Sequence, residues 1–370
     1  MGTERSDGRV IAGRYRLETP LGRGGMGVVW RATDRLLGRR VAVKELFLDP
    51  SLTADEARRQ RESTLREARA VARLRHPHII VVHDVVEHDE RPYLVMEFVD
   101  GDSLADRIAG QGPVSVDEAA RIGIGLLGAL RTAHAAGVLH RDIKPANVMV
   151  ENGSDRVVLT DFGVAQIPGA TTLTESGTFV GSPEYTAPER MSGGGTSPAA
   201  DLWSLGALLC AALSGRSPFH RDSLGGVLHA VLSDEIHPPQ EAGPLLPVVR
   251  GLLERDPDRR LDAVRAEWML REFRATGRMP EPEPVPGAPE EEVRTERPRR
   301  SVLAAAVLVA AVAVAGVSAV ALLVSGEGTP VGPTPGTVTT VTTTSPPSGS
   351  GPPSLASPTG TGPGTGVNGR

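Results

Sequence analysis

The chain has 370 residues, 39% of them hydrophobic, a formal net charge of -5 and a pI near 6.0. That balance argues against a nucleic-acid binder, which carries a basic face, and a single cysteine, Cys210, excludes an internal disulfide framework and fits a reducing compartment. The length suits one large domain with appendages: apolar and charged residues mix up to Arg274, residues 275–301 are a Pro- and charge-rich linker, and residues 325–370 are dominated by Gly, Pro, Ser and Thr.

The first elements follow a short extension, residues 1–10, whose "MGTERSDGRV" has no apolar run of the kind a cleavable signal peptide needs. From Tyr15, "YRLETPLGRGGMGVVWRAT" alternates apolar residues, turns through glycines and enters a second strand from Val28 to Arg31. Gly22, Gly24 and Gly27 stand in G-x-G-x-x-G spacing. In the dinucleotide-binding version a helix follows; here the β-branched "GVVW" continues as a strand. A glycine hairpin of that kind lets backbone approach a nucleotide's phosphates closely. "RRVAVKEL" is a third strand and carries Lys44. The only other lysine is Lys144, every remaining Lys or Arg being arginine. A lysine kept against that bias points to sites needing a compact ammonium on a flexible stem, where arginine's planar fork would not fit. On its strand, Lys44 is placed to reach the α- and β-phosphates.

The next segment, Thr53 to about Arg75, reads as a helix. Thr53 and Glu56 form a capping box, and Leu65, Ala68, Ala72 and Leu74 share a face. Glu67 lies beside that face and is the expected acidic partner of Lys44. "HPHII" at 76–80 could suggest a metal pair, but a His-Pro turn after the helix is the better reading. Further on, "VLHRDIKPANVMV" places His140, Arg141, Asp142, Lys144 and Asn147 within one short loop. Phosphoryl transfer needs a carboxylate beside the attacking hydroxyl, a cation on the migrating group and oxygen ligands for Mg²⁺. Asp142, Lys144 and Asn147 supply these types. Asp161 in "LTDFGVA" follows after a hairpin turning at Asn152-Gly153, and is the second expected metal ligand beside Asn147.

Toward the end, "VLAAAVLVAAVAVAGVSAVALLV", Val302 to Val324, lacks any charge. As a helix it would cover roughly 35 Å, more than the ~30 Å hydrocarbon core. It is therefore expected to cross a membrane once. "RPRR" at 297–300 orients residues 1–300 toward the cytoplasm and the tail outward.

Taken together, these motifs resemble a protein kinase, specifically a bacterial transmembrane serine/threonine kinase of the eukaryotic-like family. The resemblance covers residues 11–274: the Gly-rich loop at 22–27, "VAVK", helical Glu67, "HRDIKPAN", "DFG", "APE" at 187–189, "DLWSLG" from Asp201 and "RDPDRR" ending at Arg260. It implies an α+β, bilobal fold, with a small mainly β lobe to about Phe98 and a large mainly α lobe. It implies ATP with Mg²⁺, or Mn²⁺ in its place. The nucleotide would lie under Leu21, Gly22, Arg23, Gly24, Gly25, Met26 and Gly27, against Val29, Ala42 and Lys44. Met96 takes the gatekeeper position, and the backbone from Glu97 to Val99 would hydrogen-bond adenine. Asp142, Lys144, Lys44 and Glu67 form the catalytic set. Asp201 would anchor the catalytic loop, and Arg260 would pair with Glu189.

Lys144, two residues after Asp142, points to serine and threonine as acceptors. Between "DFG" and "APE", Thr174 and Ser176, with Thr178 beside them, resemble autophosphorylation positions of bacterial relatives. Arg141 is a cation that a phosphate there could engage. The family's Gly-Thr before the substrate platform is Gly181-Ser182 here. The implied partners are protein substrates, the membrane, and a homodimer for autophosphorylation in trans. Three alternatives stand beside an active enzyme. A pseudokinase would have lost a lysine, aspartate or asparagine; a small-molecule phosphotransferase would lack the segment ending in "APE". A receptor led by its outer domain would need a tail able to form a core.

Overall fold

Period-two alternation of apolar residues builds the first part of the chain as a sheet. The computed structural model describes residues 9–24, 27–47, 52–154, 156–163 and 182–280. Strands β1 (Val10–Ile11), β2 (Tyr15–Gly24), β3 (Gly27–Asp34) and β4 (Arg39–Leu46) pair antiparallel. After helix α1 (Ala54–Val71), β5 (Val82–His88) and β6 (Arg91–Glu97) complete the order β1-β2-β3-β4-β6-β5. Val41 and Val43 pack with Ile11, Tyr15, Leu17 and Tyr93 on one face. Ala42, Leu46, Leu94 and Met96 join the core on the other face, which includes Ala68 and Val71 of α1. Alternation therefore sets Lys44 on the same face as Ala42 and Leu46.

The capping box of α1 forms as expected. The Glu56 amide donates to Thr53 Oγ1 at 3.4 Å, and the Thr53 amide donates to Glu56 Oε2 at 2.9 Å. The helix stops at Val71 rather than near Arg75. Pro77 restricts His76 to extended backbone, so the last residues tighten into a turn first. The two histidines of "HPHII" have protein partners: His78 Nδ1 donates to the Val157 carbonyl oxygen at 2.7 Å, and the His78 amide donates to His76 Nδ1 at 3.2 Å.

The large lobe begins with β7 (Gly101–Ser103), α2 (Leu104–Gln111) and α3 (Val116–Ala135). The hairpin of β8 (Val148–Glu151) and β9 (Val157–Leu159) follows, with Gly153 at φ 72° in its turn. Then come α4 (Pro188–Met191), α5 (Pro198–Ser214), α6 (Leu224–Leu232), α7 (Leu246–Leu252) and α8 (Ala263–Thr276). Helix α5 is buried from Ala200 to Leu213 and, apart from Asp201 and Ser204, apolar there on every face, so the other helices pack about it. Cys210 lies inside it, where burial pushes its thiol up to about 12. This is a free, buried thiol that serves as a small core side chain.

Arg260 joins the far parts of this lobe. Its side chain is 0% exposed, yet all five N–H donors are used. They reach Glu189 Oε1 and Oε2 at 2.7 and 3.0 Å and the carbonyl oxygens of Ala199, Glu254 and Arg255 at 2.8, 2.7 and 3.2 Å. The guanidinium also lies 5.3 Å from the Trp203 ring centroid. Removing one partner of such a pair leaves a buried charge uncompensated. Glu189→Ala is expected to lower unfolding free energy by about 3 kcal/mol in urea titrations; a loss under about 1 kcal/mol would contradict this role for the pair.

Candidate active site

The loop between α3 and β8 carries His140 to Asn147, and one carboxylate fixes its backbone. Asp201, in the first turn of α5, is fully enclosed. Its Oδ2 accepts from the His140 amide at 2.9 Å and from His134 Nε2 at 2.8 Å; its Oδ1 accepts from the Arg141 amide at 2.9 Å. Burial opposes ionisation, but the His134 hydrogen bond and nearby His140 outweigh it and hold the carboxyl below its ordinary value. The helix N-terminus favours the same charge.

His140 joins this loop to the next. Its Nε2–H donates to the Thr160 carbonyl oxygen at 2.8 Å, and its Nδ1 accepts from the Asp142 amide at 3.3 Å. The ring packs on Phe162 with centroids 4.6 Å apart, and the Gly163 amide donates to the His140 carbonyl oxygen at 3.0 Å. Arg141 and Asp161 both adopt left-handed backbone, at φ 70° and 57°. Such conformations in non-glycine residues cost about 1–3 kcal/mol each and persist where the surroundings over-determine them. Here Asp201 holds the amide of Arg141, and Arg190 donates to its carbonyl oxygen.

Two expected residues, Lys144 and Asn147, converge on Asp142. Lys144 Nζ donates to Asp142 Oδ2 at 2.7 Å and to Ser182 Oγ at 3.0 Å. Asn147 Nδ2 donates to the Asp142 carbonyl oxygen at 2.7 Å and to Oδ2 at 3.0 Å. Both side-chain bonds fall on one carboxylate oxygen, leaving Oδ1 without a partner among the described residues. The amide orientation of Asn147 likewise leaves its Oδ1 unpartnered there. The Lys144 ammonium thus bridges the Asp142 carboxylate and the Ser182 hydroxyl.

Lys44 and Glu67 depart from expectation. Lys44 Nζ lies 2.9 Å from Asp161 Oδ1, while Glu67 Oε2 lies 3.4 Å from Arg141 Nη1. The left-handed turn at Asp161 brings its carboxylate to the lysine. Glu67 is half-buried, and burial raises its carboxyl above the ordinary value, with Arg141 pulling it back. Two carboxylates and two cations face this cleft, and the sequence does not say which pairs with which.

Around these groups, Ala42 and Met96 are cross-strand neighbours, with Val29 opposite Lys44. Gly22, Arg23, Gly24 and Leu21 lie exposed at the end of β2. Gly27, at φ 150°, is required by close approach: a Cβ there would fall 2.0 Å from the Glu45 carbonyl oxygen. Among the described residues outside their chain neighbours, nothing lies within 4 Å of a Cβ on Gly22 or Gly24, so this end of β2 borders open space. The Val99 amide has no hydrogen-bond partner among the described residues. Glu97, by contrast, is held through its carboxylate by Arg156 at 2.8 Å, a residue no motif flagged. Among the described residues, no cluster of three His, Cys, Asp or Glu side chains could hold a metal ion. Asn147 and Asp161 offer hard oxygen donors of the type Mg²⁺ takes when phosphates complete its shell. Gly25, Met26, Thr174, Ser176 and Thr178 lie outside the described residues, as does the apolar run at 302–324.

Two histidines, His140 enclosed and His76 half-buried, make stability depend on acidity. Burial holds both His140 and His76 below the ordinary imidazole value. The unfolded chain therefore binds protons near pH 6.5 that the folded chain refuses, and stability falls as pH drops below that point. The unfolding free energy from urea titrations should decline as pH falls from about 6.5 to 5, at no more than about 1.4 kcal/mol per pH unit for a histidine fully refused its proton. A flat value across that window would contradict the burial account.

Comparison with known proteins places this geometry. A family model described as the protein kinase domain matches residues 15–269. Serine/threonine-protein kinase PknA of Mycobacterium tuberculosis is 40% identical over 253 residues, 67% of this chain and 57% of that protein. PkaA of Streptomyces coelicolor is 38% identical over 269 residues, covering 69% of this chain and 49% of its own. The chain thus spans about half the length of these curated relatives. A crystal structure of Rad53 1-466 in complex with AMP-PNP superposes with a TM-score of 0.57 at 29% identity, over 68% of this chain and 63% of that one. With its β-rich small lobe and helical large lobe, the chain belongs to the protein kinase family.

Proposed function

We propose that the chain transfers the γ-phosphoryl group of ATP to serine or threonine hydroxyls of proteins. The observation that carries this reading is the convergence on Asp142: Lys144 and Asn147 share one carboxylate oxygen and leave the other open. That second oxygen, unpartnered among the described residues, is the acceptor for the proton of an attacking hydroxyl. Lys144, already between Asp142 and Ser182, places positive charge where the migrating group passes. Ser182 begins the platform on which the acceptor peptide would rest. Lys44 would grip the triphosphate from its strand, and the Glu97–Val99 backbone would orient adenine. Asn147 and Asp161 would hold Mg²⁺, which when bound neutralises charge developing on the phosphates.

The pairings Lys44–Asp161 and Glu67–Arg141 suggest how activity is controlled. For Asp161 to serve a metal and Lys44 the phosphates, Glu67 must leave Arg141 and become the partner of Lys44. A phosphate on Thr174, Ser176 or Thr178 is a stronger partner for Arg141 than a lone carboxylate, so autophosphorylation drives that exchange. We place this kinase at the inner face of a membrane, anchored by residues 302–324, with linker 275–301 on the cytoplasmic side and residues 325–370 outside. The charge-free run and the adjoining "RPRR" support that orientation. Dimerisation would serve autophosphorylation in trans.

Incubation of the chain with Mg²⁺, γ-labelled ATP and a generic acceptor protein tests the central reading. Label should enter both the chain and the acceptor, and Lys44→Arg and Asp142→Asn should each lower it at least about 100-fold. Mapping should place phosphate on Thr174, Ser176 or Thr178. Equal labelling by all three proteins would overturn the proposal.

A further inference from the structure

Arg156 lies between β8 and β9 of the large lobe, yet its guanidinium grips the chain where it leaves the small lobe. Nη2 and Nη1 donate to Oε1 and Oε2 of Glu97, the last residue of β6, at 2.8 and 3.1 Å. Nε donates to the Pro77 carbonyl oxygen at 2.8 Å, and Nη1 lies 3.5 Å from Glu151 of β8. Glu97 is committed on a further side: its carboxylate accepts from the Val81 amide at 2.9 Å, and its own amide donates to the Val81 carbonyl oxygen at 2.9 Å. The same 77–81 segment is tied to β9, through Ile80 N–H to the Leu159 carbonyl oxygen at 3.0 Å and Leu159 N–H to that of His78 at 2.9 Å. One planar fork therefore joins the end of β6, the loop before β5 and the β8–β9 hairpin. A lysine could not make the two parallel bonds to the carboxylate that fix its orientation.

Two residues beyond Glu97 stands the Val99 amide, unpartnered among the described residues. We propose that Arg156 is a positioning residue for nucleotide recognition. By holding the Glu97 carboxylate against the large lobe, it fixes the backbone from Glu97 to Val99 at the angle that presents the Val99 amide to an adenine edge. Arg156 touches no substrate itself, and its whole effect passes through Glu97. The inference rests on the nucleotide site proposed above. It predicts a defect in binding rather than in the transfer step, because the loop that carries Asp142, Lys144 and Asn147 is anchored separately, at its start, by Asp201 and His140.

The test measures ADP affinity by calorimetry, together with KM for ATP and kcat, on the full chain and on Arg156→Ala, Arg156→Lys and Glu97→Gln. Arg156→Ala should weaken ADP binding and raise KM for ATP about tenfold, the equivalent of one hydrogen bond, with kcat within about twofold. Arg156→Lys should recover part of that loss. Glu97→Gln should move the same constants, and the double variant Arg156→Ala/Glu97→Gln should be no weaker than the weaker single variant, because both act through one contact. A folded Arg156→Ala that binds ADP like the unaltered chain overturns the proposal, as does a lowered Tm with unchanged affinity or an additive double variant. An unaltered chain that binds ADP but transfers no phosphate would defeat the kinase reading alone. The tenfold shift in ADP affinity would still support the role of Arg156.

Discussion

A single enclosed carboxylate, Asp201, sets the geometry on which the site depends. Three hydrogen bonds from His134, His140 and Arg141 converge on its two oxygens at 2.8 to 2.9 Å. A buried, partly unpaired carboxylate would be strongly unfavourable, so the loop backbone is drawn to it and held. That anchoring sustains the left-handed backbone at Arg141, next to Asp142. His140 carries the constraint onward to Thr160 and Gly163, so the two loops bearing Asp142 and Asp161 are fixed with respect to each other.

On this frame the charges form an exchangeable set. Lys144 and Asn147 share Asp142 Oδ2 without using its second oxygen, an arrangement suited to accepting a proton. Lys44 and Asp161 satisfy each other at 2.9 Å, and Glu67 and Arg141 at 3.4 Å. The longer pair is the weaker of the two, because its charges meet at greater separation. A doubly charged phosphate offered to Arg141 would displace Glu67. In the proposed function, that displacement is how a modification of the chain between Asp161 and Pro188 reaches the strand carrying Lys44.

Much of this was legible in the sequence because the chemistry requires fixed spacings. The strand through "RRVAVKEL" runs over the residues expected, since period-two alternation with valines leaves little ambiguity. Thr53 and Glu56 marked the start of α1, but not its end, where Pro77 acts from a distance in sequence. Asp142, Lys144 and Asn147 fall in one loop, so their meeting is local and readable. The partner of Lys44 is not local. It depends on how α1 sits against the catalytic loop, and Glu67 and Asp161 are equally acceptable to an ammonium. Arg156 escaped notice for a related reason: one arginine among many carries no periodic or motif signal. Its partners, Pro77 and Glu97, are brought to it only by the folded connection between lobes.

The most direct test of the account compares Asp201→Asn with the unaltered chain for phosphoryl transfer and ADP binding. Asparagine keeps the shape but replaces an acceptor oxygen with a donor, so the amides of His140 and Arg141 can no longer both be satisfied. The expected result is transfer at least about 100-fold slower, in the range lost when catalytic groups are misplaced. ADP affinity should stay within about threefold, because the proposed adenine contacts are held through Glu97 rather than Asp201. Near-normal transfer by a folded Asp201→Asn protein would contradict the claim that this carboxylate positions the site.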